Sequence, residues 1–374
     1  MRQRMTTVFI NGKFAAQRVT GVQRAAGCIV EAFDRLLPTV SGLDEVRWVL
    51  LCPPGASLPA LRRIEVLEIG HRAAGLHFWE QVQLPFAARG QLLINLAGPA
   101  PLLKRHQICM LHDAAVFDFP GVHTRLFRAW YRFVFRRLAR SASVLLTPSA
   151  FSKSRLREHL GLPSGRVAVT SGGGEHMRAV SADNAVLQRL GLQPGSYFVA
   201  VGSSNPIKNF MSLLNAFAAL PSRCDAQLVI VGGANSGVFA AEGAPANVAG
   251  LVRAGPVSDA ELKALYQSAL ALVFPSIYEG FGLPPLEAMA CDCPVAASNA
   301  AAIPEVCGDA VLYFDPSKPH AIAEAMMRLF DEPALRQQLR EHGARRAQAL
   351  NWDGAALVLL ENVRPAMASL LTDA

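Results

Sequence analysis

The sequence lacks the long apolar runs and the ordered cysteine patterns that mark membrane-spanning and disulfide-rich proteins. No apolar run approaches the ~18 residues that a membrane-spanning helix needs, and no secretion-signal stretch follows the charged start of the chain. The seven cysteines are odd in number and scattered, which favours reduced thiols. Cys291 and Cys293 are separated by one residue, which is not the usual spacing of zinc ligands. We therefore expect a cytoplasmic protein without a structural metal.

Charged residues are also scarce. Only 17% of the residues are charged and 51% are hydrophobic, which argues against disorder. The 374 residues exceed one ordinary core and predict two domains. The formal net charge of +7 favours anionic partners, but no nucleic-acid recognition motif accompanies it. No Asp-x-Asp motif precedes a phosphate-binding loop, so we expect no divalent-metal requirement.

Short aliphatic runs alternate with helical patterns from end to end. The first series of predicted strands is residues 7–10, 47–52, 92–96, 107–111, 144–147 and 167–170; the second is 197–201, 227–231, 248–251, 271–274, 294–297 and 311–314. This alternation predicts an α/β fold with two Rossmann-like domains built on parallel sheets. We place the domains at residues 1–180 and 181–374, because Ser171 precedes three glycines that indicate a flexible stretch.

The strongest motif occupies residues 274–290. A strand ending at Phe274 is followed by a loop and by a helix that we expect to begin near Pro284 or Pro285, where a missing N–H costs little. Gly280 and Gly282 let the backbone approach a ligand closely. The N–H groups at the helix start favour an anion such as a diphosphate.

Two glutamates flank this turn, Glu279 in the loop and Glu287 in the predicted first helical turn. One carboxylate could accept hydrogen bonds from sugar hydroxyls and the other from a ribose diol. Taken alone, each has a structural explanation: Glu279 fits a solvated loop, and the helix dipole favours Glu287 without a ligand. The coincidence of two spaced carboxylates, two glycines and two prolines favours a function.

The segment resembles the Glu-x7-Glu signature of glycosyltransferase family 4, the retaining enzymes of the GT-B fold. Further likeness occurs at residues 201–209, 254–262, 303–306 and 351–353, so the resemblance covers nearly the whole chain. It implies two facing Rossmann-like domains with the active site in the cleft. The first domain would bind the acceptor and the second the nucleotide sugar, and the last helices would cross back to the first.

The resemblance also implies roles for the matching residues of the second domain. Glu279 would contact the transferred sugar, Glu287 would hold the nucleotide ribose, and Lys208 would bind the diphosphate and stabilise the leaving group. A lone lysine is otherwise usually a solvated surface residue. The other predicted donor-binding residues of this domain are Ser203, Val257, Gly280, Phe281, Gly282 and Leu283.

Two features depart from the family pattern. Many relatives carry an arginine in the turn before Lys208, where this sequence has Ser203 and Ile207. Half of the cationic clamp is thus missing or supplied elsewhere. Asp292 stands where relatives usually have glycine, and the helix dipole disfavours its negative charge.

Three residues of the first domain complete the predicted site. Gly21 opens a helix in a segment that resembles the family's N-terminal glycine loop, and Arg24 is a candidate phosphate partner. His112 follows a strand and matches the histidine that contacts the transferred sugar in the family. A histidine after a strand is otherwise usually structural. The neighbouring Asp113 could fix the tautomer of His112 or cap the next segment, and we favour the structural role.

Residues 123–140 form an amphipathic, basic helical pattern. At 100° per residue one arc carries five arginines and the opposite arc carries apolar residues that include Phe127 and Trp130. One interpretation is an ordinary Rossmann helix packed by its apolar face. The other is a surface that docks on anionic lipid, beside a lipid-linked acceptor. The two are compatible, and the second would place the protein at the inner face of the cell membrane.

The expected reaction is hexosyl transfer with retention. No carboxylate is placed as a covalent nucleophile, and the resemblance implies a front-face mechanism in which the leaving diphosphate helps to deprotonate the acceptor. The sequence is similar to bacterial mannosyltransferases of surface polysaccharide assembly (O-antigen, capsule or exopolysaccharide). GDP-mannose is therefore the first expected donor, a substrate and not a cofactor, and UDP-glucose or another nucleotide sugar is the second. An epimerase and a non-catalytic sugar-nucleotide binder are the alternatives of other classes.

Overall fold

A computed structural model describes residues 6–43, 45–57, 60–71, 75–122, 124–232 and 248–372. The chain forms two compact units: Met1–Gly172 together with Trp352–Ala374, and Gly173–Asn351. The observed boundary thus lies a few residues before the predicted one. The last helix belongs to the first unit, where the Thr170 hydroxyl donates to the Ala355 carbonyl over 3.0 Å.

The first unit is built on a seven-stranded parallel sheet of order β3-β2-β1-β4-β5-β6-β7. Its strands are β1 (Thr7–Asn11), β2 (Arg47–Cys52), β3 (Glu65–Glu68), β4 (Leu92–Asn95), β5 (Gln107–Met110), β6 (Val144–Thr147) and β7 (Val167–Val169). The central strands are aliphatic and buried, because helices cover both faces of the sheet. The edge strand β3 was not predicted. Its residues are mostly exposed and begin and end with glutamate, so it lacks the apolar run of a buried strand.

Helices connect these strands and cover the sheet. They are α1 (Gly21–Leu36), α2 (Gly75–Phe78), α3 (Leu84–Ala87), α4 (Ala115–Asp118), α5 (Arg125–Ser141) and α6 (Ala150–Leu160). A π-helical turn, Trp79–Gln83, joins α2 to α3. Short 3-10 helices lie at Gly12–Ala16, Leu37–Thr39 and Ser164–Arg166.

The second unit contains a six-stranded parallel sheet of order β10-β9-β8-β11-β12-β13. Its strands are β8 (Tyr197–Gly202), β9 (Gln227–Gly232), β10 (Leu251–Gly255), β11 (Ala271–Phe274), β12 (Val295–Ser298) and β13 (Leu312–Phe314). Its helices are α7 (Ala185–Leu190), α8 (Phe210–Ala218), α9 (Asp259–Ser268), α10 (Leu283–Ala290), α11 (Ile303–Cys307), α12 (Pro319–Asp331) and α13 (Pro333–Ala349), with 3-10 helices at Glu175–Ala179 and Pro206–Lys208. The final helix α14 (Trp352–Thr372) follows.

Both sheets confirm the predicted α/β fold class, and eleven of the twelve predicted strands largely coincide with observed ones. The exception is residues 248–251, which only touch the start of β10. In each sheet the strand order reverses once, between β1 and β4 and between β8 and β11. Ligands of doubly wound folds bind beyond the carboxyl ends of the strands at such reversals. A ligand site is therefore expected beyond the carboxyl ends of the strands at these two reversals.

Candidate functional site

An ion pair marks the reversal point of the second sheet. Lys208 follows β8 and Glu279 follows β11, and the Lys208 Nζ lies 2.6 Å from the Glu279 Oε1. Their side chains are 20% and 13% exposed. The Nζ also lies 5.9 Å from the centre of the Phe274 ring. The structure thus brings together two predicted catalytic residues at a partly buried position that a ligand can still reach.

Hydrogen bonds between the two loops fix this pair. The Ile277 N–H donates to the Ile207 carbonyl over 2.9 Å. The Asn209 side-chain amide donates to the carbonyls of Pro275 at 3.2 Å and Pro316 at 2.8 Å. Asn209 has a left-handed backbone, with φ of 57°, which asparagine tolerates better than most residues. The turn that carries Lys208 is therefore fixed by hydrogen bonds to the neighbouring loops.

The turn into α10 offers backbone donors at the same edge. Gly282 has φ of 99°, a conformation that favours glycine, and the helix begins at Leu283. Pro284 and Pro285 have no N–H to offer. The backbone N–H groups that could bind an anion are therefore those of the loop up to Leu283, including Phe281 and Gly282.

Glu287 lies in the second turn of α10, not in the first as predicted. The dipole at the helix start therefore does not account for it, since that effect fades within the first turn. The residue is only 5% exposed. The His176 Nε2 lies 3.1 Å from the Glu287 Oε1. The sequence pattern gave no indication of this contact, because 111 residues separate the two side chains.

Two of the three glycines before His176, Gly173 and Gly174, are packed too closely for the flexible stretch that the sequence indicated. A Cβ added to Gly174 would lie 2.3 Å from the Leu286 carbonyl oxygen, and one on Gly173 would lie 2.8 Å from the Asn351 Cα. These positions need glycine because the backbone packs closely there. A run of glycines in sequence does not separate flexibility from close approach.

Two further residues that we predicted to bind the nucleotide sugar, Ser203 and Val257, lie in loops that follow strands. Ser203 is exposed directly after β8, and Val257 is half-buried between β10 and α9. Downstream of Val257, the Ser258 N–H donates to the Glu261 carboxylate over 2.8 Å, and the Glu261 N–H donates to the Ser258 hydroxyl over 3.2 Å. This capping box gives the neighbouring polar residues a structural role.

His112 follows β5 in the first unit. Its Nε2 lies 2.8 Å from the Leu96 carbonyl oxygen. Because a carbonyl only accepts, Nε2 carries the proton, and Nδ1 is the acceptor of the neutral ring. Burial lowers the pKa of His112, and the Leu96 carbonyl and the Asp113 carboxylate oppose that shift only in part. The imidazole is therefore neutral at pH 7.

The remaining predicted residues of the first unit lie near helix starts. The Asp113 carboxylate accepts the Ala115 N–H over 2.8 Å, a local bond at the start of α4, although the N-cap position itself is occupied by Ala114. Gly21 is the first residue of α1 and is exposed, and Arg24 lies one turn later with its N–H bonded to the Thr20 carbonyl at 2.9 Å. The ligand roles of Gly21, Arg24 and His112 stay predictions.

Helix α5 confirms the predicted apolar arc only in part, since Val134 and Leu138 are buried but other members of the arc are not. Residue 123, where the predicted helix begins, lies outside the described residues, and α5 starts at Arg125. Phe127 and Trp130 are 39% and 43% exposed, so placing them on the packed face was wrong. The buried face of α5 is formed by Val134, Phe135, Leu138 and Ala139.

Arg132 also departs from the predicted solvated arc. It is half-buried, and its guanidinium donates to the carbonyls of Val116 at 3.0 Å and Phe117 at 3.3 Å. The exposed apolar residues of α5 are Leu126, Phe127, Trp130 and Phe133. Its exposed arginines are Arg125, Arg136 and Arg140. Among the described residues, no helix is both long and apolar enough to cross a membrane.

Asp292 has φ of 58° just beyond the end of α10. Glycine suits this conformation, which explains why it is usual there in the family. The Arg340 Nε donates to the Asp292 carbonyl over 3.2 Å, so a guanidinium lies at the helix end. That cation offsets part of the unfavourable interaction between the Asp292 charge and the helix dipole.

Replacing Asp292 with glycine is expected to stabilise the second unit by about 0.5–1 kcal/mol, because the relieved backbone strain exceeds the entropy that glycine adds to the unfolded chain. Urea unfolding followed by circular dichroism measures the change. Asp292→Asn is the matched control: it removes the charge and keeps a residue that tolerates φ > 0. If both variants raise the free energy of unfolding equally, the gain comes from removing the charge, and backbone strain at position 292 is not its cause.

Comparison with known proteins decides the family. The family described as Glycosyl transferases group 1 matches residues 188–346, and the one described as Glycosyltransferase Family 4 matches residues 45–173. O-antigen chain mannosyltransferase B of Escherichia coli is 31% identical over 260 residues, which cover 66% of this chain and 67% of that protein. The chain belongs to glycosyltransferase family 4. The predicted family and enzyme class are thereby confirmed.

Other relatives of this glycosyltransferase carry related names. The MMP alpha-(1->4)-mannosyltransferase of Mycolicibacterium hassiacum is 31% identical over 62% of this chain and 56% of that protein. The O-antigen chain mannosyltransferase RfbU of Salmonella typhimurium is 27% identical over 66% of each chain. The matched regions thus span about half to two thirds of these relatives.

Solved structures show the same fold over almost the whole glycosyltransferase. Sucrose-phosphate synthase from Thermosynechococcus elongatus superposes with a TM-score of 0.73 at 19% identity, over 97% of this chain and 100% of that one. WaaG, a glycosyltransferase involved in lipopolysaccharide biosynthesis, gives 0.67 at 15% identity, over 94% and 97%. Anabaena HepE in complex with UDP-glucose gives 0.68 at 16% identity, over 96% and 99%. At these identities the likeness concerns the GT-B fold alone.

Proposed function

We propose that this glycosyltransferase moves mannose from GDP-mannose, with retention, onto a lipid-linked or oligosaccharide acceptor of bacterial surface polysaccharide. The proposed binding site for the sugar donor is supported by the Lys208–Glu279 ion pair at the reversal point of the second sheet. The choice of mannose is supported by the names of the O-antigen mannosyltransferases of Escherichia coli and Salmonella typhimurium that the chain resembles.

Lys208 is proposed to bind the diphosphate of the donor. When the bond between the sugar C1 and the phosphate oxygen breaks, negative charge grows on the leaving diphosphate. A nearby ammonium group, held in place before the reaction, stabilises that charge in the transition state. The new bond joins C1 to the acceptor oxygen, and the acceptor proton passes to a phosphate oxygen of the leaving group.

Glu279 is proposed to hold the transferred sugar. Its carboxylate offers acceptor positions for two hydroxyl groups, and its bond to Lys208 limits the directions it can take. The amides of Phe281, Gly282 and Leu283 are proposed to bind the phosphates. Glu287 is proposed to accept hydrogen bonds from the ribose diol. The protein then acts by positioning its substrates and by stabilising charge.

His112 is proposed to contact the transferred sugar in its neutral form. With Nε2 donating to the Leu96 carbonyl, Nδ1 can accept a hydrogen bond from a hydroxyl group. A neutral ring avoids placing a second cation beside an electron-poor anomeric carbon.

The donor is tested by thermal unfolding with GDP-mannose, UDP-glucose and the free nucleotides, followed by transfer to a lipid-linked acceptor. GDP-mannose is expected to stabilise the protein most and to give product with a retained anomeric configuration. A larger shift with UDP-glucose would favour the second donor. A free epimer without transfer would favour an epimerase, and binding without turnover of any donor would favour a non-catalytic binder.

The exposed face of α5 is proposed to dock on an anionic membrane surface. Leu126 is 82% exposed, Phe133 54% and Trp130 43%, and exposed arginines flank them on the same helix. No acidic residue occurs between residues 119 and 157, so the charge of this segment is of one sign. Aromatic side chains next to arginines are typical of helices that lie in the headgroup region of a bilayer. Such docking would bring the enzyme to a lipid-linked acceptor.

The double variant Trp130→Ala/Phe133→Ala is expected to weaken binding to phosphatidylglycerol vesicles at least ~10-fold, since it removes two apolar side chains from the docked face. Vesicle sedimentation measures this. Leu357→Ala is the matched control, because Leu357 is 46% exposed on α14. Transfer to a water-soluble acceptor should be unchanged. Equal binding of both variants, or no preference over phosphatidylcholine, would contradict the proposal.

A further inference from the structure

His176 contacts Glu287 inside the second unit, although 111 residues separate them in sequence. The Nε2–Oε1 distance is 3.1 Å, and the two side chains are 12% and 7% exposed. A carboxylate accepts only, so Nε2 must carry the proton and donate it. One oxygen of Glu287 is thus engaged by a side chain that no predicted role includes.

The backbone leading to His176 is held against the helix that carries Glu287. Gly174 packs so closely on the Leu286 carbonyl that an added Cβ would lie 2.3 Å from that oxygen. The 3-10 helix Glu175–Ala179 begins directly after this contact, and its Met177 is fully buried in the hydrophobic core beside Leu286. His176 is therefore placed by packing on both sides, and its bond to Glu287 does not depend on a mobile loop.

This contact decides how Glu287 can bind a ligand. A carboxylate in a mostly buried position needs hydrogen-bond donors to offset the loss of water. If no side chain held it, the group could rotate toward solvent or toward backbone donors nearby. The bond to Oε1 restrains the rotamer, and an ionised carboxylate has about four acceptor positions in all, so one bond does not exhaust its capacity for a ligand.

We propose that His176 is a positioning residue that fixes the Glu287 carboxylate for the ribose hydroxyls of the nucleotide. The inference rests on the proposed role of Glu287 in ribose binding. The ribose does not change during transfer, so its contacts stabilise ground state and transition state alike. Loss of His176 then raises the KM for the donor and leaves kcat nearly unchanged.

The test compares GDP with its 2′,3′-dideoxy analogue by isothermal titration calorimetry. The wild-type protein is expected to prefer GDP by about 10-fold or more, since the analogue cannot donate the ribose hydroxyl hydrogen bonds to the buried Glu287 carboxylate. In His176→Ala this preference should fall to about 3-fold or less, and the KM for GDP-mannose should rise about 10-fold. His176→Gln, whose side-chain amide can donate from a similar position, should restore most of the preference.

Controls separate this inference from the proposed function. His320→Ala changes an exposed histidine of α12 and should leave the preference intact. If Glu287→Ala does not reduce the wild-type preference, the ribose role of Glu287 is wrong. If Glu287→Ala abolishes the preference while His176→Ala keeps it, only the role of His176 is wrong. A fall of kcat with unchanged KM in His176→Ala also contradicts a positioning role, and thermal unfolding checks that each variant is folded.

Discussion

Replacing Lys208 with methionine is expected to lower kcat for mannosyl transfer by about 100- to 1,000-fold, or ~3–4 kcal/mol, with a smaller effect on KM. Methionine keeps much of the length of the side chain and removes the charge that would face the leaving diphosphate. The charge on that group is greatest in the transition state, so the loss falls mainly on kcat. Steady-state transfer from radiolabelled GDP-mannose measures both constants.

Two variants control for this result. Lys318→Met removes an exposed lysine of the same unit, paired with Asp315 at 3.0 Å, and should leave the rate unchanged. Lys208→Arg keeps the charge but spreads it over a planar group, so it should recover only part of the rate. A Lys208→Met enzyme with at least a third of the wild-type kcat would remove Lys208 from the reaction.

Glu279→Gln is expected to reduce kcat about 100-fold or more while the protein stays folded, and Glu279→Ala is expected to abolish transfer. Glutamine has nearly the same shape but no charge and only one acceptor oxygen, so it cannot accept a hydroxyl hydrogen bond on each of its two terminal atoms as glutamate can. It also leaves the Lys208 ammonium without the carboxylate that lies 2.6 Å away. Transfer assays and circular dichroism of the same preparations measure the two effects.

Glu324→Gln is the matched control, because Glu324 is exposed on α12. Binding of free GDP distinguishes two causes of a lost rate. If Glu279 contacts the sugar, Glu279→Gln should bind GDP about as well as the wild-type protein and bind GDP-mannose more weakly. A parallel loss for both ligands would mean that Glu279 acts on the nucleotide, contrary to the proposal.

Sequence patterns predicted correctly those strands and strand-end residues whose positions depend on neighbouring residues in the chain. Strands such as β8 and β11 are largely buried runs of apolar residues. Glycine ends β8 and proline directly follows β11, so both ends are visible in the sequence. Lys208 and Glu279 each follow a strand, and adjacent parallel strands bring their ends to one edge of a sheet. The pairing of these residues was therefore within reach of sequence reasoning.

The contacts that sequence reasoning missed depend on long-range packing. His176 lies in a segment without periodicity, and only the close approach of Gly174 to α10 brings it to Glu287. Trp130 fits an apolar arc by its residue type, yet the fold leaves it 43% exposed. Helical periodicity gives the angle between side chains and does not say which angle faces the sheet.

Helix α14 has a consequence for how the chain is made and folded. The second unit is one continuous block, Gly173–Asn351, inserted within the sequence of the first. A ribosome therefore completes the whole second unit before it releases the last helix that the first unit needs. The residues of α14 buried there include Trp352, Ala355, Ala356, Leu359, Leu360 and Val363. A nascent chain that ends at residue 351 would hold a complete second unit and a first unit with an exposed apolar surface.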